Sequence, residues 1–501
     1  MLRKIRISLA LIFFTFITLL FLDFSGAWFI WMAKIQFLPA VLAMNVVAIV
    51  LIVLLTLLFG RIYCSIICPL GVLQDIIARF GKRKKKLPYS YSPAKSWLRY
   101  GILVLSIVAV IFGINVIISL LDPFGGYGRI ANNLFLPVLQ WINNLLAIVA
   151  ERTNSYVFYT KDIWLKSLPT FIIAIITFIV VAILAWRNGR TYCNTICPVG
   201  TFLGILSRFS FFKIRFDEQK CSKCNVCTKN CKTSSIDCNE MKIDSSRCVS
   251  CMNCIEKCNQ SAISYKFGFP KFETVKNDKE QLSPSKNDKG RKEFIVTAII
   301  LTISAFKSQI FSQTKDVRND GGLAKIADKK SPNRLTPLTP AGSQSAKNMN
   351  RKCTACQLCV STCQNDVLKP SDSLSTFMQP VMSYQRGYCR PECVQCSEVC
   401  PSGAITKITK EEKSSTQIGH AVWVRERCIP LTDKQQCNNC ERHCPAKAII
   451  MVPSVAGDDN SLKIPAVNEA LCIGCGACEY LCPSRPLSAI YVEGHQIHKT
   501  I

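Results

Sequence analysis

Arg61-Ile62-Tyr63-Cys64-Ser65-Ile66-Ile67-Cys68-Pro69-Leu70-Gly71 returns further along the chain as Arg190-Thr191-Tyr192-Cys193-Asn194-Thr195-Ile196-Cys197-Pro198-Val199-Gly200. Both copies keep R-x-Y-C-x3-C-P-x-G, so the front of the chain is an internal repeat. Each copy follows apolar sequence. Stretches near residues 7–30, 37–59, 97–120 and 163–186 are long enough to cross a hydrocarbon core of about 30 Å, and the motifs follow the second and the fourth. A pair of spans thus carries each copy to the same face, and a pseudo-two-fold axis along the membrane normal would gather Cys64, Cys68, Cys193 and Cys197 there. Arg61 and Arg190 stand three residues before each pair, where a fixed cation favours the thiolate. Pro69 and Pro198 open a new element, and Gly71 and Gly200 permit close backbone approach. Electron uptake through these four thiols is the functional expectation, as a seventh metal centre or as a disulfide relay. Cysteines packed as small apolar side chains are the structural alternative.

The basic flanks agree on one side. Arg3, Lys4 and Arg6 precede the first span, Lys82, Arg83, Lys84, Lys85 and Lys86 link the second and third, and Arg187 and Arg190 close the fourth. With the N-terminus cytoplasmic, all three obey the positive-inside rule, which explains the run at 82–86 better than nucleic-acid binding does. The first span reads as retained, because another follows almost at once without a small-residue cleavage site. Residues 1–212 are therefore expected to be a four-helix membrane domain, 213–266 a cytoplasmic cysteine-rich domain and 267–292 a linker. At 293–311, Phe294–Phe311 is a fifth apolar element, preceded by Gly290-Arg291-Lys292-Glu293-Phe294-Ile295, which resembles a twin-arginine export signal with lysine in place of the second arginine. It would send 312–350, a second linker, and 351–501, a second cysteine-rich domain, to the periplasm. The expected fold class is an α-helical polytopic membrane domain plus two small α+β ferredoxin-like iron–sulfur domains.

The chain of 501 residues has 29 cysteines, and 24 of them are patterned. Cys221, Cys224, Cys227, Cys231 and Cys248, Cys251, Cys254, Cys258 both match C-x2-C-x2-C-x3-C, in which three close thiolates wrap one 4Fe-4S cubane and the fourth serves its neighbour. One cluster would take Cys221, Cys224, Cys227 and Cys258, the other Cys248, Cys251, Cys254 and Cys231. Zinc uses two separated C-x-x-C knuckles and fits this run poorly. Cys238 is left as a bystander. Four further runs follow: Cys353, Cys356, Cys359, Cys363; Cys389, Cys393, Cys396, Cys400; Cys428, Cys437, Cys440, Cys444; and Cys472, Cys475, Cys478, Cys482. Pro401, Pro445 and Pro483 follow three of the fourth cysteines, turning the chain away, while Gln364 breaks that habit. Pairing of first run with last and second with third is the expectation. Six clusters would lower the formal charge of +28 to about +16, since each oxidised cubane with four thiolates carries roughly −2.

Only His420, His443, His495 and His498 exist, and none lies among the first 419 residues. A membrane haem with two imidazole ligands is excluded. No C-x-x-C-H, no G-x-x-x-x-G-K-[ST] and no strand-bound G-x-G-x-x-G occurs, which argues against haem attachment and nucleotide binding. Asp122-Pro123-Phe124-Gly125-Gly126-Tyr127-Gly128-Arg129 offers Asp122 as a quinol proton acceptor and Arg129 as a headgroup ligand. Ordinary turn chemistry is the simpler reading of Asp-Pro and Gly-Gly.

Residues 1 to about 266 resemble the NapH/MauN family of membrane quinol dehydrogenase subunits, carried by the spans, the two C-x3-C-P motifs and the two-cluster runs. Residues 290–501 resemble the MauM/NapG family of exported four-cluster ferredoxins. The resemblance implies a fusion of two usually separate partners in the bacterial cytoplasmic membrane. It would oxidise quinol from the quinone pool and deliver electrons to a periplasmic reductase or cytochrome in anaerobic respiration, without nucleic acid. Two alternatives stand beside it. One is an assembly or redox-sensing factor like the copper-reducing membrane ferredoxins; the other is reverse flow from a cytoplasmic reductant.

Overall fold

The computed structural model describes residues 2–22, 28–83, 89–153, 157–268, 327–458 and 460–501. The chain falls into two units. One comprises Met1–Pro270, Ser331–Ser484 and Ser488–Ile501; the other, Lys271–Lys330 with Arg485–Leu487, is described only at 327–330 and 485–487, where the Lys330 N–H donates to the Pro486 carbonyl at 2.8 Å. The expected fifth span Phe294–Phe311 and its twin-arginine-like start lie outside the described residues, as do the side chains of 82–86.

Among the described residues three helices are long and apolar enough to cross a membrane: α1 (Leu2–Phe21), a continuous 30-residue helix over Pro123–Arg152, and α11 (Leu168–Asn188). The four expected spans are thus redrawn. Over 37–59 the chain breaks between α3 (Phe37–Leu42) and α4 (Val46–Phe59), where Met44 takes a left-handed φ of 54° and the Asn45 side chain accepts the Ala48 N–H at 3.2 Å, capping α4. Over 97–120, α7 (Ser96–Phe112) ends on left-handed Gly113, and the short α8 (Asn115–Leu121) follows. A long helix instead begins where a turn was the simpler reading. Asp122 caps it by accepting the N–H groups of Phe124 (3.3 Å) and Gly125 (2.8 Å), with Pro123 in the first turn. Asp-Pro is helix-starting chemistry as much as turn chemistry, and the apolar sequence after it decides the matter. This helix runs as α9 (Pro123–Ile130), a π turn (Ala131–Phe135) and α10 (Leu136–Arg152).

The repeat is structural. In the first copy α4 ends at Gly60, followed by α5 (Ile62–Ile66) and α6 (Pro69–Arg83); in the second α11 ends at Gly189, followed by α12 (Thr191–Thr195) and α13 (Pro198–Ser207). Gly60 and Gly189 have φ of +73° and +72°, and a Cβ at Gly189 would strike the Lys232 carbonyl. Glycine therefore belongs to the motif one residue before each arginine.

Residues 212–267 close on themselves through β1 (Phe212–Phe216) and β4 (Ile263–Phe267), antiparallel with Phe212 opposite Phe267 and Ile214 opposite Tyr265. Between them lie a β2–β3 hairpin (Ile236–Asp237, Lys242–Ile243) and the packed short helices α14 (Val226–Lys229) and α15 (Asn253–Lys257). The far cysteine-rich segment holds three further antiparallel pairs: β5 (Leu368–Pro370) with β6 (Pro380–Met382), β7 (Thr416–Trp423) with β10 (Ile490–Thr500), and β8 (Ile449–Pro453) with β9 (Lys463–Val467). It is braced by a buried fork in which Arg334 donates to both oxygens of Glu479 at 2.6 and 2.7 Å.

Within the first unit, helix α1 reaches both cysteine-rich segments. Near its start Arg3 pairs with Glu256, and near its end Phe21 packs against Phe124 and Tyr127 while the helix touches Leu358–Ser361. The two cysteine-rich segments consequently sit at opposite ends of a 20-residue helix, about 30 Å long.

Candidate metal centres and the four-thiol site

The repeat brings Cys64, Cys68, Cys193 and Cys197 into one buried core, each between 3% and 4% exposed. Crossed arginines hold the copies together. Arg61 donates to the Cys193 carbonyl (3.2 Å) and to Asn194 Oδ1 (2.8 Å), while Arg190 donates to the Cys64 carbonyl. Each motif arginine thus clamps the other copy's backbone. Glycine is required beneath each clamp: a Cβ at Gly71 would meet the Cys64 carbonyl and come within 2.8 Å of Arg190, and one at Gly200 would meet the Cys193 carbonyl and come within 2.8 Å of Arg61. Gln74 Nε2 donates to Cys193 Sγ at 3.2 Å.

The symmetry is broken by charge. Asp75 receives Arg190 Nε at 2.7 Å, Arg6 at 3.2 Å and Lys232 Nζ. Against the upward push of burial, Arg190, Lys232 and Arg6 hold its carboxyl well below the usual carboxylate range. Sequence reading missed Asp75, Gln74 and Lys232, which lie outside the repeated string and meet only in the fold. Lys232 follows Cys231, so this node ties the four-thiol core to the near iron–sulfur loops. Arg61 and Arg99 add bonds to the Ser246 carbonyl at 3.0 and 3.3 Å, and Ser250 and Tyr265 hydroxyls donate to the Phe59 carbonyl.

The cysteine loops share a backbone signature. In the four regular runs, the residue before the second cysteine and the one after it are both left-handed: Lys223 and Asn225, Ser250 and Met252, Ala355 and Gln357, Gly474 and Gly476. Ser234, Ser261, Asp366, Gly403 and Lys447, each three residues after a fourth cysteine, are left-handed too. Alternating handedness turns successive N–H groups inward as a nest for an anion, the environment an iron–sulfur cluster takes. Backbone N–H groups of Ala355, Ile405, Ala448 and Ala489 already point to Cys353, Cys400, Cys444 and Cys482 Sγ at 3.2–3.4 Å. Burial together with neighbouring thiols pushes Cys353, Cys359 and Cys478 well up and Cys475 up to about 12. Among the described residues no group of three or more His, Cys, Asp or Glu is placed to hold a single metal ion. Zinc needs its ligands converged on one point, whereas a cubane takes each thiolate on a different iron.

The grouping of the far runs differs from the expectation. Cys400 lies with Cys353, Cys356 and Cys359, and Cys363 with Cys389, Cys393 and Cys396. Cys482 shares a cavity with Cys428, Cys437 and Cys440, lined also by Trp423 and Pro465, and Cys444 lies near Cys472 and Cys475. First pairs with second and third with fourth, because helix Leu358–Ser361 packs on Gln395–Val399 and Asn439–Arg442 on Ala477–Leu481. The two pairs meet where the Cys389 N–H donates to the Cys475 carbonyl at 2.9 Å. In the near segment Cys231 lies with Cys248 and Cys254. Cys238 is buried beside Cys227.

Asp122 and Arg129 are brought together but not exposed, at 1% and 0%. They lie under the Cys353–Cys359 loop, where Arg129 reaches the Ala355 carbonyl at 3.4 Å and Asn132 and Asn133 donate to Gln357 Oε1 at 3.3 and 2.9 Å. Both Asp122 oxygens serve as a helix cap, so the geometry gives this pair a structural task first. Tyr192, from the second motif, is among the groups facing Arg129, which places the four-thiol core between the near loops and this seam.

A 4Fe-4S binding domain family matches residues 41–88 and 170–217, the two copies of the motif, and a 4Fe-4S dicluster domain family matches 435–485. Ferredoxin-type protein NapF of Escherichia coli (strain K12) is 26% identical over 159 residues, 32% of this chain and 87% of that protein. Ferredoxin-type protein NapG of the same strain is 28% identical over 181 residues, 33% of this chain and 77% of its own length. The putative electron transport protein YccM is 26% identical over 195 residues, 39% and 47%. No solved structure matches the chain. The chain thus carries 4Fe-4S binding domains, and its long apolar helices associate it with a membrane.

Proposed function

We propose that the chain is a membrane-bound electron conduit that oxidises quinol and passes electrons through six 4Fe-4S clusters to a periplasmic reductase or cytochrome. The observation that carries this reading is placement: the four C-x3-C-P thiols are packed between two cysteine-rich segments docked at opposite ends of α1. The near clusters would be held by Cys248, Cys251, Cys254 and Cys231, then by Cys221, Cys224, Cys227 and Cys258. The far ones would be held by Cys353, Cys356, Cys359 and Cys400 beside the helices, then by Cys363, Cys389, Cys393 and Cys396, by Cys444, Cys472, Cys475 and Cys478, and last by Cys428, Cys437, Cys440 and Cys482. Bound clusters supply one-electron carriers. The chain's own residues fix their spacing: Arg61 and Arg190 clamp the two motif copies, Asp75 and Lys232 lock the near loops to them, and Asn132 and Asn133 hold the Gln357 side chain of the far ones. With the basic N-terminal flank in the cytoplasm, the far segment faces the periplasm.

The names of NapF, NapG and YccM, ferredoxin-type and electron transport, agree with this reading. It is tested with anaerobically purified holoprotein, expected to hold about 24 iron and 24 acid-labile sulfide. A Cys68→Ser/Cys197→Ser double variant should keep that content and its reduction by dithionite, yet lose reduction by quinol. Unchanged quinol-driven reduction in the stable variant, or zinc with little sulfide in the parent, overturns it.

A further inference from the structure

Among the described residues, four buried polar atoms without a hydrogen-bond partner gather along one seam, Arg129 Nε and Nη2, Asn132 Oδ1 and Gln357 Nε2, and the Thr354 hydroxyl beside them is taken up by Cys356. On one side of the seam is the start of the long helix over 123–152; on the other is the loop Cys353–Cys359. The packing is too close for side chains between them. A Cβ at Gly125 would come within 2.8 Å of the Thr354 carbonyl, and one at Gly128 would strike the Cys356 carbonyl and the Phe21 ring. Water-sized relief is therefore scarce, yet a whole guanidinium is enclosed, with Arg129 0% exposed and one bond of 3.4 Å. A buried cation with unsatisfied donors is costly unless an anion answers it. Asp122 is the carboxylate at hand and the nearest charge that favours the cation, but its oxygens cap the helix through the Phe124 and Gly125 N–H groups and, among the described residues, no hydrogen bond joins it to the guanidinium. The groups facing Arg129 on the far side belong to the Cys356 loop.

We propose that Arg129 is a positioning residue that raises the reduction potential of the cluster held by Cys353, Cys356, Cys359 and Cys400. This rests on the cluster reading above. The oxidised cubane with its four thiolates carries roughly −2 and takes one electron, with no proton, to reach roughly −3. A fixed cation in a closed, water-poor seam stabilises the more negative state more, and hydrogen bonds and charge near the sulfurs are among the levers that set such potentials. Gln357, left-handed and held at its Oε1 by Asn132 and Asn133, keeps the loop turned toward the guanidinium. The cluster nearest the helices thereby becomes easier to reduce than its ligands alone would make it, which suits a weak reductant such as a quinol.

The test is a mediated dithionite titration of the detergent-purified holoprotein followed by electron paramagnetic resonance. Arg129→Gln should lower one midpoint, so that at the parental midpoint the reduced-to-oxidised ratio of that cluster falls at least tenfold, 59 mV for a one-electron couple. The other midpoints should hold, and Arg129→Lys, which keeps the charge, should recover most of the shift. Gln357→Glu is the second variant, placing an anion in the seam without removing the arginine, and should lower the same midpoint. An unmoved midpoint in iron-replete Arg129→Gln overturns the proposal, as does an equal shift in Arg129→Lys and Arg129→Gln. If Arg129→Gln fails to assemble, Gln357→Glu alone decides. A parent protein without cluster signals would sink the cluster reading itself, a different failure.

Discussion

Replacing Asp75 by Asn would leave Arg190, Arg6 and Lys232 facing one another without their shared anion. At an effective dielectric of about 20, unit charges attract by roughly 6 kcal/mol at the 2.7 Å of Arg190 and roughly 5 kcal/mol at the 3.2 Å of Arg6. Desolvation takes back several kcal/mol per ion, and removing one partner of a buried pair leaves a net loss of about 3–5 kcal/mol. That loss falls on the joint between α6, the four-thiol core and the near cysteine-rich segment, because Arg190 also clamps the Cys64 carbonyl and Lys232 sits beside Cys231. If the joint opens as a local unit, each 1.36 kcal/mol is tenfold in its open population, so a 3 kcal/mol loss is more than a hundredfold. The assay is the rate at which a membrane-permeant maleimide labels Cys64, Cys68, Cys193 and Cys197 in the cluster-loaded protein, read by mass spectrometry. Asp75→Asn should label at least a hundredfold faster than the parent. A rate within threefold of the parental one would refute the reasoning. Acid should not mimic the variant near neutrality: since the folded carboxyl is depressed, its contribution is complete above about pH 4 and is lost only as pH falls below that, toward the folded value.

The grouping of far cysteines predicts that Cys400→Ser and Cys353→Ser disturb the same cluster signal and that Cys482→Ser disturbs another, shared with Cys437→Ser; shared loss between Cys353→Ser and Cys482→Ser would restore the first-with-last pairing. His498 behaves oppositely to Asp75. Burial, helped by His495, pushes its imidazole down to about 4, and its Nε2 lies 3.1 Å from Thr339 Oγ1. Between about pH 6.5 and 4 the unfolded chain binds the proton that the folded one refuses, so stability falls as pH drops through that window. Urea unfolding of the far segment should lose part of this acid slope in His498→Gln; equal slopes in parent and variant would refute the assignment.

By itself the sequence determined the chemistry and the repeat. Cysteine spacing is local: C-x2-C-x2-C-x3-C winds three thiolates around one cluster and sends the fourth to its neighbour, and its left-handed positions at Asn225, Met252, Gln357 and Gly476 follow from the same short stretch. The repeat was legible for the same reason, since Arg, Tyr, Cys, Pro and Gly recur within eleven residues. Tertiary structure alone decided what reached across the chain. The spans over 37–59 and 97–120 broke because Asn45 and Gly113 offered caps that hydropathy does not weigh, and Asp122 began a helix because the residues after Arg129 could continue it. Pairing of the far runs depended on which short helices pack together, which spacing leaves open. Asp75 and Lys232 carry no signal in any motif, and only burial beside Arg190 made them a lock. Arg129 read as a headgroup ligand or part of an ordinary turn, and the fold enclosed it against Cys356. Spacing fixes which three thiolates of a run share one metal cluster, while long-range packing fixes where the fourth goes and which charges share one buried space, and the energies of those charges depend on the space.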